Sequence, residues 1–454
     1  MAKLLSRRRF LQSSSLAAAG VARMAKADTH SKSVPPKTLL TLNARDFGAK
    51  GDGSTKDTSA LQQAIDRCSV LGGGEVLIPA GEYLTGALAL RSNTLLRLAK
   101  DATILGSPDL ADYPVSQVRW EGKWIAGHLG LIYALDASHT GIVGPGRIVG
   151  NKAVGGRPGR QDPLRHPAIV EPIGCRDVRF EDFSTDQQGI MWCLHSTNCE
   201  NVVFKNLTIR SVNGNGDGID VDSCRHVRVE GCDIATGDDC IAIKSGRGAE
   251  AYALLNTTED VVIANCTFAD SIFACIGIGS ETSGGIRNVR IEHCKFTGAR
   301  TQAIYIKSRV GRGAFIEDIV ADDLDVAGTM GGFLRINVLS SGLQDENPVP
   351  GQEGIPTLRN FRFSNIRVKD CPVLVDAIGI HPDKPLDGFT LMNVTGAAAA
   401  GIKLANIRNA VIRNVGTPIS IHNVTGKGIE GAVAIDGPKV VDAVPPAAQP
   451  YILR

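Results

Sequence analysis

Apolar and polar positions recur along this chain in a short repeated frame. The unit is Asn or Asp, Val, any residue, an apolar residue, any residue, Asn or Gly, two more residues and an apolar residue. It occurs as "RDVRFEDFS" from 176, "ENVVFKNLTI" from 200, "RHVRVEGCDI" from 225, "EDVVIANCTF" from 259 and "RNVRIEHCKF" from 287. It returns as "RNFRFSNIRV" from 359, "DGFTLMNVT" from 387 and "RNAVIRNVG" from 408. Alternating apolar residues predict strands buried on one face. Parallel strands normally require a helical crossover, yet no helical period separates these units. A right-handed parallel β-helix, each turn of chain stacked on the last, satisfies both facts and makes the fold all-β. The signature of leucine-rich repeats is missing, and a propeller blade would need roughly 40–50 residues.

Ahead of the repeats, "DTSALQQAIDRC" (57–68) carries a helical period, with Asp57 or Thr58 as N-cap. It is expected to cover the open end of the solenoid, where a terminal turn would otherwise expose its core. The first strands follow in "GGGEVLIPAGEYLTGALAL". One domain is expected over 40–440, after a linker at 28–39 and before a Pro-containing tail at 441–454. The stretch 340–357, beginning "SSGLQDENPVPG", interrupts the repeats and is placed to border a cleft.

Composition agrees: 51 glycines and 5% aromatic residues suit many short strands and tight turns. The first 27 residues read as a processing segment, with Arg7, Arg8 and Arg9, an apolar run and Ala25-Lys26-Ala27 as a cleavage site. The run Ser-Arg-Arg-x-Phe-Leu is similar to a twin-arginine export signal, so the protein is expected in the periplasm or the medium. That segment holds six Lys and Arg and no acid, so the chain's net +2 becomes −4 without it. Nucleic-acid binding therefore gains no support from charge, and no run after residue 30 is apolar enough to span a membrane.

The 11 cysteines are odd in number, and Cys175, Cys199 and Cys224 each precede a strand at the same place in the repeat. Cys232, Cys266 and Cys294 follow strands in the same regular way. Such recurrence predicts buried ladders of mostly free thiols, packed as small hydrophobes.

The candidate chemistry lies in "NGNGDGIDVDSC" (213–224) and, one turn later, "GDDCIAIKS". These align with "ACIGIGS" and "QAIYIKS" on the frame apolar-x-apolar-x-Ser. Two outward ladders result: Asp220, Ala242, Gly277, Tyr305 and Asp222, Lys244, Gly279, Lys307. Asp217 falls level with Asp239, and stacked turns lie about 4.8 Å apart, so Asp217, Asp238 and Asp239 must cluster. Strict alternation would send Asp238 outward and the other two inward, but Gly216, Gly218 and Gly237 mark bends where that parity need not hold. Crowded carboxylates raise one another's pKa, which suits a protonated acid beside an ionised base. Calcium coils also cluster aspartates, but they use tandem copies of their motif, and "NGDGID" occurs once. A catalytic cluster is favoured over a metal coil or a solvated turn.

At these residues the chain resembles glycoside hydrolase family 28, the polygalacturonase and rhamnogalacturonan hydrolase family. The resemblance covers nearly the whole chain after the processing segment, beginning with "DFGAKGDGSTKDTSALQQAID", and is sharpest over "NGDGIDVDSCRHVRVEGCDIATGDDCIAIKSG". It implies Asp238 as general acid, Asp217 and Asp239 as activators of the attacking water, an inverting hydrolysis without a cofactor and a polysaccharide substrate. A monomer is expected. Gly216 replaces the Thr of the family's Asn-Thr-Asp motif. Two departures weigh more. Where polygalacturonases carry Gly-His-Gly, this chain has Ile272, Phe273 and Ala274; where they carry Arg-Ile-Lys, it has Tyr305, Ile306 and Lys307. Tyr cannot grip a carboxylate as Arg does.

The expectation is therefore a pectic or related glycan other than plain polygalacturonate. Lys307 would hold substrate, and Phe273 and Tyr305 would offer apolar contact to a neutral or deoxy sugar. Asn215, Lys244 and His195 are further substrate-binding candidates, although Lys244 would equally pair with Asp222 and His195 would equally be a hydrogen-bonded edge residue. Trp120, Trp124 and His128 in "QVRWEGKWIAGHLG" either stack on sugar or pack locally. A calcium-dependent lyase or epimerase, with Lys307 as base, and a non-catalytic glycan-binding β-helix are the alternative classes.

Overall fold

The computed structural model describes residues 40–156, 158, 163–189, 191–211, 214–429 and 432–433. The expected export signal and linker at 1–39, the end of the expected domain from 434 and the 441–454 tail lie outside these residues.

The described chain is a stack of parallel strands: 31 strands belong to one continuous sheet, and only the hairpin Val115–Trp120/Lys123–His128 stands apart as an antiparallel pair. Each strand pairs with the strand one coil further on, as the repeat predicts. The strand Arg176–Glu181 pairs with Glu200–Lys205, which pairs with Arg225–Glu230, which pairs with Thr258–Ala264. The apolar residues of the frame, such as Val178, Val202, Val227 and Val261, stack in one buried column.

The Asn or Asp that opens most of the repeats has a backbone reason. Asp177, Asn201, Asp260 and Asn288 have φ of 54°, 57°, 56° and 55°, the left-handed corner that Asn and Asp tolerate best. Their side chains bridge successive coils, with Asn201 Nδ2 donating to Asp177 Oδ1 at 2.9 Å and Asn288 Nδ2 to Asp260 Oδ1 at 3.0 Å.

The predicted helix forms over Thr58–Val70 and buries Leu61, Ala64, Ile65 and Cys68 against the core. Its cap is a correction. Asp57 occupies the N-cap position but makes no capping bond. Its carboxylate instead accepts from the Lys50 and Gly51 amides at 2.7 and 2.9 Å, tying down the preceding loop. No described helix is long and apolar enough to cross a membrane.

All 11 cysteines are free and buried. The predicted ladder is literal: the Cys175 amide donates to Cys199 Sγ at 3.4 Å, and the Cys199 amide to Cys224 Sγ at 3.3 Å.

Candidate active site

Five short strands present the candidate residues: Leu194–Thr197, Ile219–Asp222, Ile241–Lys244, Ile276–Ile278 and Gln302–Lys307. Their register is the one read from the sequence. Asp220 pairs with Ala242, Ala242 with Gly277 and Gly277 with Tyr305, while Asp222 pairs with Lys244. Asp217 and Asp239 lie level, because the Gly218 amide donates to the Asp239 carbonyl at 3.0 Å.

Parity is reset at the turns. Cys240 and Ile241 are consecutive and both buried in the core, so Asp239 faces out with the polar ladder. Hydroxyls hold these turns in place. Ser211 Oγ donates to the Gly216 carbonyl and accepts from the Gly237 amide, linking the two aspartate-bearing turns. Thr236 and Ser271 both donate to the Asp238 carbonyl, at 2.8 and 2.7 Å.

Asp217, Asp238 and Asp239 thus line one cavity of about 140 Å³. Two lysines sit between the carboxylates. Lys244 Nζ bonds Asp220 at 2.5 Å and Asp217 at 3.1 Å, and Lys307 Nζ bonds Asp239 at 2.6 Å. Among the described residues no three His, Cys, Asp or Glu side chains converge as a metal site would.

The electrostatics divide the aspartates. Burial, then the Asp217 and Asp239 charges, raise the Asp238 carboxyl to about 7. Burial raises Asp239 as well, with Lys307 opposing it. Asp220 is raised further, by burial and by Asp217, against the pull of Lys244. Burial works against the charge of Lys244 and Lys307, but their carboxylate partners outweigh it and hold both ammonium groups above their usual range.

Several expectations from the sequence differ from the structure. Lys244 is the strand partner of Asp222, but its ammonium does not bond that carboxylate, which accepts instead from Arg119 Nε at 3.0 Å. His195 is fully buried and absent from the cavity wall. Its Nε2 is hydrogen-bonded to Thr197 Oγ1 at 3.3 Å, and it lies 3.6 Å from Glu171 with Trp192 edge-on at 4.6 Å; it is a hydrogen-bonded histidine, buried rather than at an edge. Phe273 and Tyr305 do not line the cavity either. They pack together 6.0 Å apart with Lys307 over the Phe273 ring at 4.5 Å, and Tyr305 is bonded to Ser341. The apolar contact expected of them is not available in this cavity; they brace Lys307. Asn215 does line it, and its buried Nδ2 has no hydrogen-bond partner among the described residues.

Residues the sequence reading missed complete the wall: Trp192, Glu121, Arg247, Glu281 and Arg312. The Trp192 ring lies under Lys244 at 4.3 Å. Arg312 is buried and donates to the carbonyls of Ser280 and Leu343 at 3.0 and 2.6 Å. Burial and the nearby Arg247 depress it to about 9. Its only sequence signal was an Arg bracketed by glycines in "VGRGA". The 340–357 stretch does border the cleft, through Gly342 and Leu343.

Residues 68–333 match the family described as Glycosyl hydrolases family 28. The chain belongs to that family. It is a glycoside hydrolase of the polygalacturonase family and shares its parallel β-helix. A Vitis vinifera protein called "Probable polygalacturonase" is 30% identical over 371 residues, spanning 79% of this chain and 74% of the relative. The exo-poly-alpha-D-galacturonosidase of Dickeya chrysanthemi is 30% identical over 305 residues, covering 56% of this chain but only 49% of that longer protein. Among solved structures, the hyperthermoactive exopolygalacturonase of Thermotoga maritima superposes with a TM-score of 0.71 at 26% identity, over 85% of this chain and 92% of the other.

Proposed function

We propose that this family 28 enzyme cleaves a glycosidic bond of a pectic polysaccharide with inversion, Asp238 protonating the leaving oxygen while Asp217 and Asp239 activate water. The observation that carries the reading is the asymmetry of the trio. Asp238, pushed to about 7, has no ammonium bonded to it and keeps its proton near neutrality. Asp217 and Asp239 are each bonded to a lysine ammonium, which Asp238 lacks. An acid and a base on one cavity wall are the two groups inversion needs.

The positions where polygalacturonases hold galacturonate carry Phe273 and Tyr305. This supports a pectic glycan other than the plain polymer, such as rhamnogalacturonan or a substituted galacturonan. A lyase or epimerase would need Lys307 as a neutral base, whereas Asp239 holds that lysine charged. The twin-arginine-like leader supports action outside the cytoplasm.

Chromatography of products from polygalacturonate, rhamnogalacturonan and xylogalacturonan tests this, with wild type and Asp238→Asn and with and without chelator. Chelator-resistant release of saturated oligosaccharides that the substitution abolishes is expected. Unsaturated products, or turnover of plain polygalacturonate above the other polymers, would overturn the mechanism and the substrate choice respectively.

A further inference from the structure

A second cavity of about 280 Å³ adjoins the aspartate cavity and shares Arg247 with it. Its floor is the antiparallel hairpin, through Lys123, Trp124 and Ile125; its roof is the 344–347 segment of the long loop. We propose that this cavity is a second saccharide subsite that takes an uncharged sugar residue of the substrate, beside the cleavage point. The proposal rests on the hydrolase reading for its meaning but not for its test.

Three observations converge. First, Trp124 is a braced aromatic platform. The Arg119 guanidinium lies 5.1 Å from the ring centroid and is itself held by Asp222 at 3.0 Å. Arg119 does not line the cavity, so it supports the indole from elsewhere while the ring contributes to the wall. A fixed aromatic face covers the apolar face of a sugar at little entropic cost.

Second, the charges cancel. Asp345 Oδ2 is 3.0 Å from Lys123 Nζ and 3.4 Å from Arg247 Nε. Two cations, Lys123 and Arg247, face two acids, Asp345 and Glu346. A uronate carboxylate entering here would have to displace Asp345 from its partners, a costly exchange in a partly buried pair. A sugar hydroxyl would not.

Third, the wall holds an unmet acceptor. Gln344 Oε1 is buried without a hydrogen-bond partner among the described residues. A hydroxyl satisfies it by donating a proton, which an ionised carboxylate cannot do. The volume, near the lower bound of roughly 300 Å³ for ligand pockets, suits one sugar residue rather than a chain.

The two cavities therefore differ in kind. The aspartate cavity carries Lys244, Lys307, Arg247 and Arg312 among its carboxylates, whereas this one is balanced and aromatic. Through Arg247, a substrate could present a neutral residue to Trp124 while its scissile bond lies at Asp238.

Binding in a catalytically silenced protein separates this inference from the hydrolase reading. In the Asp238→Asn background, saturation-transfer NMR would be run with the methyl glycosides of xylose, rhamnose, galactose and galacturonic acid. At least one neutral glycoside is expected to bind, about tenfold more weakly after a further Trp124→Ala change. Gln344→Leu, which keeps the side chain's bulk on an open loop, should weaken it about fivefold and guards against misfolding of the tryptophan variant. The galacturonate glycoside should show no response to either substitution. Neutral-sugar binding indifferent to both substitutions, no neutral binding at all, or galacturonate binding that depends on Trp124 would overturn the proposal. None of these outcomes touches the role of Asp238, which the polymer digests report separately.

Discussion

At the residue scale, the site is a lattice of alternating charges whose pH behaviour follows from who touches whom. Activity needs Asp238 protonated and the base carboxylates ionised, so it should follow a bell. The alkaline limb falls near 7, where Asp238 loses its proton. The acid limb lies above the ordinary carboxylate value, because burial raises Asp239. Lys307 lowers the pKa of both Asp238 and Asp239, so Lys307→Met should raise both and move the whole bell to higher pH. A pH–kcat profile checks this, and limbs that stay in place would remove Lys307 from the electrostatic account. Asp238→Asn should lower kcat by about 10³-fold while KM changes little, because an asparagine cannot deliver the proton but occupies the same space. The three aspartates were legible in the sequence because stacked coils turn a 22-residue spacing into a contact between neighbours. The partners of Lys244 were not legible. A lysine side chain is long enough to reach along the neighbouring strand, so its strand register alone does not decide between Asp222 and the Asp217–Asp220 pair. Arg312 was hidden for a related reason: its place on the wall is set by carbonyls of a loop without periodicity.

At the scale of the element, the repeat's leading Asn or Asp is a turn residue held in left-handed geometry and bonded to the coil before it. Asn201 combines φ of 57° with the bond to Asp177. Replacement by Ala incurs both the conformational cost and the lost bond, about 1–2 kcal/mol together. Replacement by Gly loses only the bond, because Gly adopts that φ freely. Asn201→Ala should therefore lower the denaturation midpoint more than Asn201→Gly; equal losses would mean that the backbone conformation contributes nothing. This element was readable because its periodicity is local. The hairpin 115–128 was not. Its residues were quoted for their aromatic content, but only the fold reveals that Trp120 packs on Trp192 at 4.9 Å and that Trp120 and Trp124 line one cavity. Helix capping failed similarly at Asp57, where two loop amides outcompeted the helix for one carboxylate.

At the scale of the molecule, the solenoid is held together by stacked apolar columns rather than by covalent links. Sequence periodicity foretold this because a β-helix repeats its contacts from coil to coil, so one frame describes many rungs. Cysteine is part of that packing: Cys175, Cys199 and Cys224 occupy one column, and the described core holds every cysteine of the chain as a free, buried thiol. Burial of this kind keeps reagents away from the sulfurs. The native protein should therefore show almost no thiol reactive towards Ellman's reagent at neutral pH, and all 11 should titrate once denaturant opens the coils. Reductant should leave the denaturation midpoint unchanged, since no disulfide contributes to it. A midpoint that falls with reductant would show that sulfurs of adjacent coils pair in the folded protein, and the ladder would then be a set of covalent rungs. A few thiols reacting in the native state would point instead to coils that open locally, and mapping them would show which part of the stack frays first.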